Sequence, residues 1–508
     1  MRLDQRKAGV LLTYISEVIK VATTLLYTPL MLELLGDSEF GLYQTVTSTV
    51  MYLSLLSLGF GSAYVRYHSR YKVKDDEEGI ARLNGMFILI FSGMSLLCLI
   101  CGGVMIANAR LIFGENLTDG ELLRAKLMMA VLIVSMAITF PNSVFNCFVT
   151  AHEKFVFQKL LIVVQNLLNP CLTLPLLLLG YGSVSVVAVT AVLTAVVFVA
   201  NLIFCLRKLR MRFAFRGLEF SLLKEMGAFT FFIFLNQIID QVNWAVDKLL
   251  LTRMISPAIV ATYSVGAQIN SLYLQMSTAV SNVFIPRVNQ IVAGSNDNRE
   301  LTKLMTKVGR VQFLILALVL TGFVFFGKAF INLWTGAGTA DAYYVALFLI
   351  IPVTIPLLQN LGIEIQRAKN MHRARSVVYT CLAAGNVVLS IGLIQLWGVV
   401  GAAAGTGIML VLGNGLFMNW YYHKKIGLDM IAFWREIIRF VPALLLCAIL
   451  GAVYAYFVPV NSWVMLLISA AAYTVVYCLV MWLLGMNGYE KHLVRKLLSK
   501  LPGVKKLR

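Results

Sequence analysis

Apolar windows of about twenty residues, the length that crosses a bilayer, recur along this chain and are divided by short polar connections. They fall at 9–35, 41–65, 84–107, 127–150, 157–179, 183–206, 227–253, 257–285, 311–333, 342–364, 376–396, 398–422, 440–458 and 463–484. Gly180-Tyr181-Gly182 and Trp397-Gly398 separate two of the pairs by very tight turns. The pattern predicts an all-α polytopic membrane protein with about 14 transmembrane helices. Residues 207–226 and 423–439 mix basic and apolar positions and are expected to lie along the membrane surface.

One window breaks the apolar rule in its middle. At about 100° per residue, Asn236, Gln237, Asp240, Gln241, Asn243, Trp244, Asp247 and Lys248 share one helical face, and aliphatic residues fill the other. A charge at the bilayer centre costs at least about 2.5–3.5 kcal/mol, so this face turns to a bundle interior or a wet cavity. A lone amide here reads as an interhelical hydrogen bond; the whole stripe reads as the wall of a transport cavity. Helix 1 repeats the logic with Thr13, Glu17, Lys20, Thr24, Tyr27 and Thr28. Glu17 and Lys20 are three apart, so part of their charge can cancel along the helix. Helix 2 carries Tyr43, Gln44, Thr47, Ser48 and Tyr52, and helix 8 carries Gln268, Asn270, Tyr273, Gln275 and Asn282. Helices 1, 2, 7 and 8 are therefore expected to line one cleft.

The chain also resembles itself. A shift of 220 sets Leu35 to Tyr43 on Ile255 to Tyr263 and Lys20 on Asp240. A shift of 216–217 sets Asn169 on Asn386 and Val186 to Thr190 on Ala402 to Thr406. The expected organisation is two pseudo-symmetric six-helix lobes related by a parallel repeat. These are an N-lobe at 1–206, a linker at 207–226 and a C-lobe at 227–422. A surface segment at 423–439, two unmatched helices within 440–485, expected at the periphery, and a basic tail at 486–508 follow.

Composition agrees: 59% of the 508 residues are hydrophobic and only 13% charged. The net charge of +19 first suggests nucleic acid, until its distribution is followed. Of the 43 Lys and Arg, 36 lie at the N-terminus, in even-numbered connections or in the tail. That asymmetry predicts cytoplasmic termini and makes the basic patches neighbours of anionic lipid, not nucleic acid. Arg66 and Arg287 end helices 2 and 8; they are either part of this bias or a pair that captures phosphate with guanidinium forks.

Enzyme chemistry has little to stand on. No Walker motif, His-Glu-x-x-His or Ser/His/Asp framework occurs, and Cys98-x-x-Cys101 sits inside an apolar helix as packing. No metal or cofactor is expected.

Gly36-x-x-x-Phe40-Gly41-x-Tyr43, Ala151-His152-Glu153-Lys154-Phe155 and Gly398-Val399-Val400-Gly401-Ala402-Ala403, in this order among 14 expected helices, resemble the Wzx-type polysaccharide flippases. These are members of the multidrug/oligosaccharidyl-lipid/polysaccharide (MATE-like) exporter superfamily. The resemblance spans about 8–485 and implies a bacterial inner-membrane protein. It further implies alternating access that turns an undecaprenyl-diphosphate-linked oligosaccharide to the outer leaflet, with glycan polymerase and glycosyltransferases as partners. The expected substrate-facing residues are Glu17, Lys20, Tyr27, Tyr52, Arg66, Asn236, Gln237, Asp240, Gln241, Trp244, Asp247, Lys248, Gln268, Tyr273 and Arg287. The aromatics would stack on sugars and the cations would meet the diphosphate. Lys20 and Asp240 are expected to pair in one access state and part in the other. The alternative is a multidrug exporter of the same fold, coupled to H+ or Na+ at Asp240 or Glu17.

Overall fold

A computed structural model describes residues 5–218, 245–369, 371 and 373–498, together with 227, 230, 234, 237, 238 and 241. The described residues hold helices and no strand. Among the described residues, nine helices are long and apolar enough to cross a membrane, ten when a pair bent by 44° near Gln359 counts as one span. Two of the nine runs, Ile15–Ser57 and Val377–Ile426, reach 43 and 50 residues, and each is interrupted by a glycine that leaves helical geometry. The helix expected over 227–253 is described only in part, so the nine and the expected 14 are not counts of the same residues.

The chain divides into two compact units, Met1–Ser264 and Val265–Arg508. The first begins with α1 (Gln5–Val50), whose axis breaks at Gly36 (φ 73°, ψ 166°) and so separates helices 1 and 2 of the sequence reading. That backbone region is almost closed to residues with a side chain. Helix 2 was expected to run unbroken over 41–65. Instead it tightens into 3-10 turns over Met51–Ser57, breaks at left-handed Leu58 and Gly59, and restarts as α2 (Phe60–Val73). Next come α3 (Glu77–Ala107), α4 (Ala109–Phe113), α5 (Asp119–Ala151), α6 (Phe155–Leu178) and α7 (Gly182–Ile203). Residues 245–254 form α8, and α9 (Pro257–Asn282) runs past the end of the unit.

Local chemistry explains these ends. Thr118 and Glu121 form a capping box at the start of α5. Glu39, two residues before Gly41, accepts the Ser183 backbone N–H at 2.6 Å at the start of α7 and pairs with Arg124 at 3.0 Å. Gly41 itself lies so close to the Pro257 carbonyl that a Cβ would sit 1.8 Å from its oxygen. This contact helps explain why 245–264 pack with the first unit. The extended strap after α7 is tied to α3: Ala214 donates to the Ala81 carbonyl at 2.9 Å and Asn84 to that of Arg212 at 2.8 Å.

The second unit continues with α10 (Ile285–Ala293), α11 (Asn298–Thr335), α12 (Ala342–Leu358), α13 (Asn360–Ala368) and α14 (Arg373–Leu410). The last of these is broken at Gly398 (φ 57°) and then widens into π-helical turns at Val411–Met418 and Tyr422–Ile426 around the short α15 (Asn419–Tyr421). A surface helix α16 (Met430–Ile438), α17 (Val441–Phe457), α18 (Trp463–Val480) and α19 (Gly488–Leu498) follow.

The repeat read from the sequence has a bond in each unit. Asn169 Nδ2 donates to Thr190 Oγ1 at 3.1 Å in the first, and Asn386 Nδ2 donates to Thr406 Oγ1 at 3.2 Å in the second. Each bond joins the two helices that flank a tight turn, and both turns use a left-handed glycine, Gly182 and Gly398.

The two helices after the repeat looked like a peripheral, apolar addition; their ends prove to be tied by charge. Buried Arg310 of α11 pairs with buried Glu490 of α19 at 2.6 Å and with Glu436 of α16 at 3.4 Å, and donates to the Gly485 carbonyl. Its guanidinium lies 4.2 Å from the centre of the Phe440 ring. Tyr477 adds a hydrogen bond to the Leu314 carbonyl at 2.9 Å.

Candidate functional site

The described part of the polar stripe meets the second half of α1 along an antiparallel ladder within the first unit. Gln241 Nε2 donates to the Ser48 carbonyl at 3.5 Å, and Lys248 Nζ donates to Gln44 Oε1 at 3.1 Å. Thr45 and Thr252 share a hydroxyl contact at 2.7 Å. Helix spacing generates the order: Gln44, Thr45 and Ser48 recur at one, three and four residues and so stay on one face.

Asp247 is only 1% exposed and accepts a hydrogen bond from the Tyr263 hydroxyl at 2.6 Å. Tyr52 is within electrostatic reach of this carboxylate. The pair Asp247–Tyr263 is thus an interhelical polar bond between α8 and α9, the kind that a membrane interior rewards. Lys248 differs. Its ammonium rests on a neutral amide, and it makes no ion pair among the described residues. Gln237 keeps a buried side-chain oxygen with no hydrogen-bond partner among the described residues.

In the first half of α1, Glu17 and Lys20 are exposed and no ion pair joins them. Both stand near the start of the long apolar run that opens at Ile15. Tyr27, further along, is half-buried beside Thr173 of α6. Asn236, Asp240 and Trp244 lie outside the described residues, and with them the Lys20–Asp240 pair.

The remaining expected positions behave otherwise. Tyr273 is 1% exposed in the core of the second unit, its hydroxyl 2.9 Å from Thr354 Oγ1 and 3.3 Å from the Leu316 carbonyl. The ring therefore packs inside its unit. Gln268 is half-buried on α9. Arg287 is exposed but engaged by Glu300 at 2.7 Å, and Arg66 is exposed at the middle of α2. Sequence reading missed Glu39, Gln44's role as partner of Lys248, and Tyr263. Their polarity was visible, but their partners are 16 to 204 residues away.

A family model described as "Polysaccharide biosynthesis protein" matches residues 7–292, more than half of the chain. The chain belongs to the polysaccharide biosynthesis protein family. No curated protein matches it by sequence. Among solved structures, the lipid II flippase MurJ in an inward closed conformation superposes with a TM-score of 0.72 at 14% identity, covering 96% of this chain and 99% of that one. An inward-facing multidrug resistance MATE family transporter of the MOP superfamily gives 0.65 at 14% identity, covering 82% and 99%. The Vibrio cholerae MATE transporter VcmN gives 0.57 at 14% identity, covering 83% and 98%. At such identities the likeness is one of fold. This member of the polysaccharide biosynthesis family is therefore a multi-pass membrane protein with the MurJ/MATE-like transporter fold. The family match covers both sides of the α1–α8 ladder, including Gln44 and Lys248.

Proposed function

We propose that this protein flips an undecaprenyl-diphosphate-linked oligosaccharide from the inner to the outer leaflet of a bacterial cytoplasmic membrane, by alternating access. The observation that carries the reading is Lys248, a membrane-embedded ammonium held by an amide and by no carboxylate among the described residues. A cation so placed retains its attraction for an anionic group, and a diphosphate is the anion that this family's lipid-linked substrates would bring. Gln44 orients the ammonium without neutralising it. Glu17 and Lys20 mark the wet part of the path, and the polyprenyl tail stays in lipid. Lys20 and Asp240 are assigned as partners that meet in one access state and separate in the other. The basic ends of the chain face the cytoplasm. The negative interior then helps an anionic head outward, by about 2.3 kcal/mol per charge per 100 mV.

The test uses deletion and replacement. Deleting the gene should accumulate a lipid-linked glycan on the inner leaflet, which also identifies the sugar. Lys248→Met keeps length and volume but removes the charge. With a charge-assisted hydrogen bond worth about 1.5–3 kcal/mol, flipping by the purified protein should fall about 10- to 100-fold at unchanged protein level. Unaltered flipping would remove Lys248 from the substrate path. Drug sensitivity on deletion, with no accumulated glycan, would favour a cation-coupled multidrug exporter of the same fold.

A further inference from the structure

The second unit holds a concave groove of ≈ 650 Å³ where the π-helical stretch after α14 runs past α16. Trp420, Ile431, Trp434 and Ile438 form its apolar walls, and His423 and Arg435 stand at its polar rim. The walls are built, not incidental. Trp434 Nε1 donates to Asn419 Oδ1 at 2.6 Å, and Gln359 Nε2 donates to the same oxygen at 2.9 Å. Asn419 Nδ2 in turn donates to the Asn414 and Gly415 carbonyls at 2.8 and 2.9 Å. These are carbonyls that wide helical turns leave free to accept. The indole is thereby held in one orientation while Ile431 and Ile438 stay 62% and 60% exposed.

The charge at the rim has one sign. Arg435 is exposed and makes no ion pair among the described residues, and Lys424 and Lys425 follow His423. The two carboxylates flanking Arg435 in sequence are spoken for. Asp429 caps α16 through the Ala432 N–H at 2.9 Å, and Glu436 is held by Arg310 and Arg439.

We propose that this groove binds one anionic phospholipid, its acyl chain along Trp420, Ile431, Trp434 and Ile438 and its phosphate against Arg435. The wall chemistry excludes a free phosphate as the natural occupant, because such an ion leaves the apolar surface uncovered. Tryptophans at the edge of a membrane helix bundle mark the headgroup level, which is where a lipid's chain meets its phosphate. The inference stands apart from the flipping reading and survives its failure.

Full-length protein in nanodiscs of equal phosphatidylglycerol and phosphatidylcholine should, on release into a native mass spectrometer, retain the anionic lipid about five-fold over the neutral one, the factor expected from one basic side chain near the membrane surface. Arg435→Gln should bring that ratio to about one. Ile431→Trp, which fills the groove and keeps the arginine, should lower retention of both lipids. Brominated phosphatidylglycerol should quench wild-type fluorescence more than that of Trp434→Phe. Equal retention of both lipids by the wild type would overturn the proposal, as would a preference that survives Arg435→Gln. Loss of the preference on adding inorganic phosphate would assign the rim to a free anion and overturn the lipid.

Discussion

His68 illustrates how a single side chain can set a pH limit. It is completely buried near the end of α2 among Tyr64, Phe148 and His152, and neither ring nitrogen has a hydrogen-bond partner. Burial first, and then the neighbouring His152 ring and Lys72 ammonium, push its pKa from 6.5 down to about 4. The unfolded chain takes up this proton near pH 6.5, whereas the folded one waits until about pH 4. Acid therefore favours the unfolded state, and stability falls as pH drops through that window and levels off below it. A melting-temperature series from pH 7 to 4 should show the decline, and His68→Phe should flatten it. An unchanged profile in the variant would place the sensitivity elsewhere. His68 stands out in the sequence only as one of five histidines. Its burial was not legible there, because it depends on α5 crossing α2.

At the scale of the helix, glycines decide where spans stop, and they do so for two different reasons. Gly36 needs its backbone conformation: nothing stands within 4 Å of an added Cβ, but φ is 73° and ψ is 166°. Gly41 has ordinary helical geometry and needs space, since a Cβ would meet the Pro257 carbonyl at 1.8 Å. Gly36→Ala should therefore cost about 1–3 kcal/mol through strain alone, read as a modest loss of melting temperature with the protein still folded. Gly41→Ala should cost more, because backbone must move against backbone. Gly41→Leu should yield little folded protein in membranes. Equal tolerance of the two alanines would refute the distinction. The Gly36-x-x-x-Phe40-Gly41 motif was plain in the sequence, yet the difference in role was not. One glycine answers to its own dihedrals, the other to a residue 216 positions on. For the same reason the break at Leu58-Gly59 went unseen, whereas the Gly182 and Gly398 turns were legible from adjacent tight-turn residues.

For the whole molecule, the internal repeat was the most readable feature, since Asn169 and Asn386 make the same bond to Thr190 and Thr406. Similar residues at a constant offset do similar work. The all-α membrane class followed from apolar length, and the two-lobed MATE-like organisation from the repeat and the resemblance. The candidate site was legible as a polar stripe on Gln241, Asp247 and Lys248, but its sorting was not. Asp247 is engaged by Tyr263, Tyr273 is interior, and Lys248 rests on Gln44. Arg310 gives the sharpest case, since no pattern links it to Glu490. Breaking a buried ion pair by removing one partner costs about 3–5 kcal/mol. Arg310→Met should thus destabilise the second unit and open α19 to protease. The double replacement Arg310→Met/Glu490→Met should recover most of the loss. Failure of the double variant to recover would mean that Glu436 and the Gly485 carbonyl carry the anchor.

That anchor also has a history within each molecule's lifetime. Arg310 and Glu490 are separated by 180 residues, and ribosomes add about 5–20 residues per second. The arginine therefore enters the membrane surface roughly 9 to 36 s before its carboxylate has been made. Until Glu436 and then Glu490 follow, the charge of Arg310 lacks the two carboxylates that hold it in the folded unit. A chain truncated between Glu436 and Glu490 keeps only the longer of the two ion pairs.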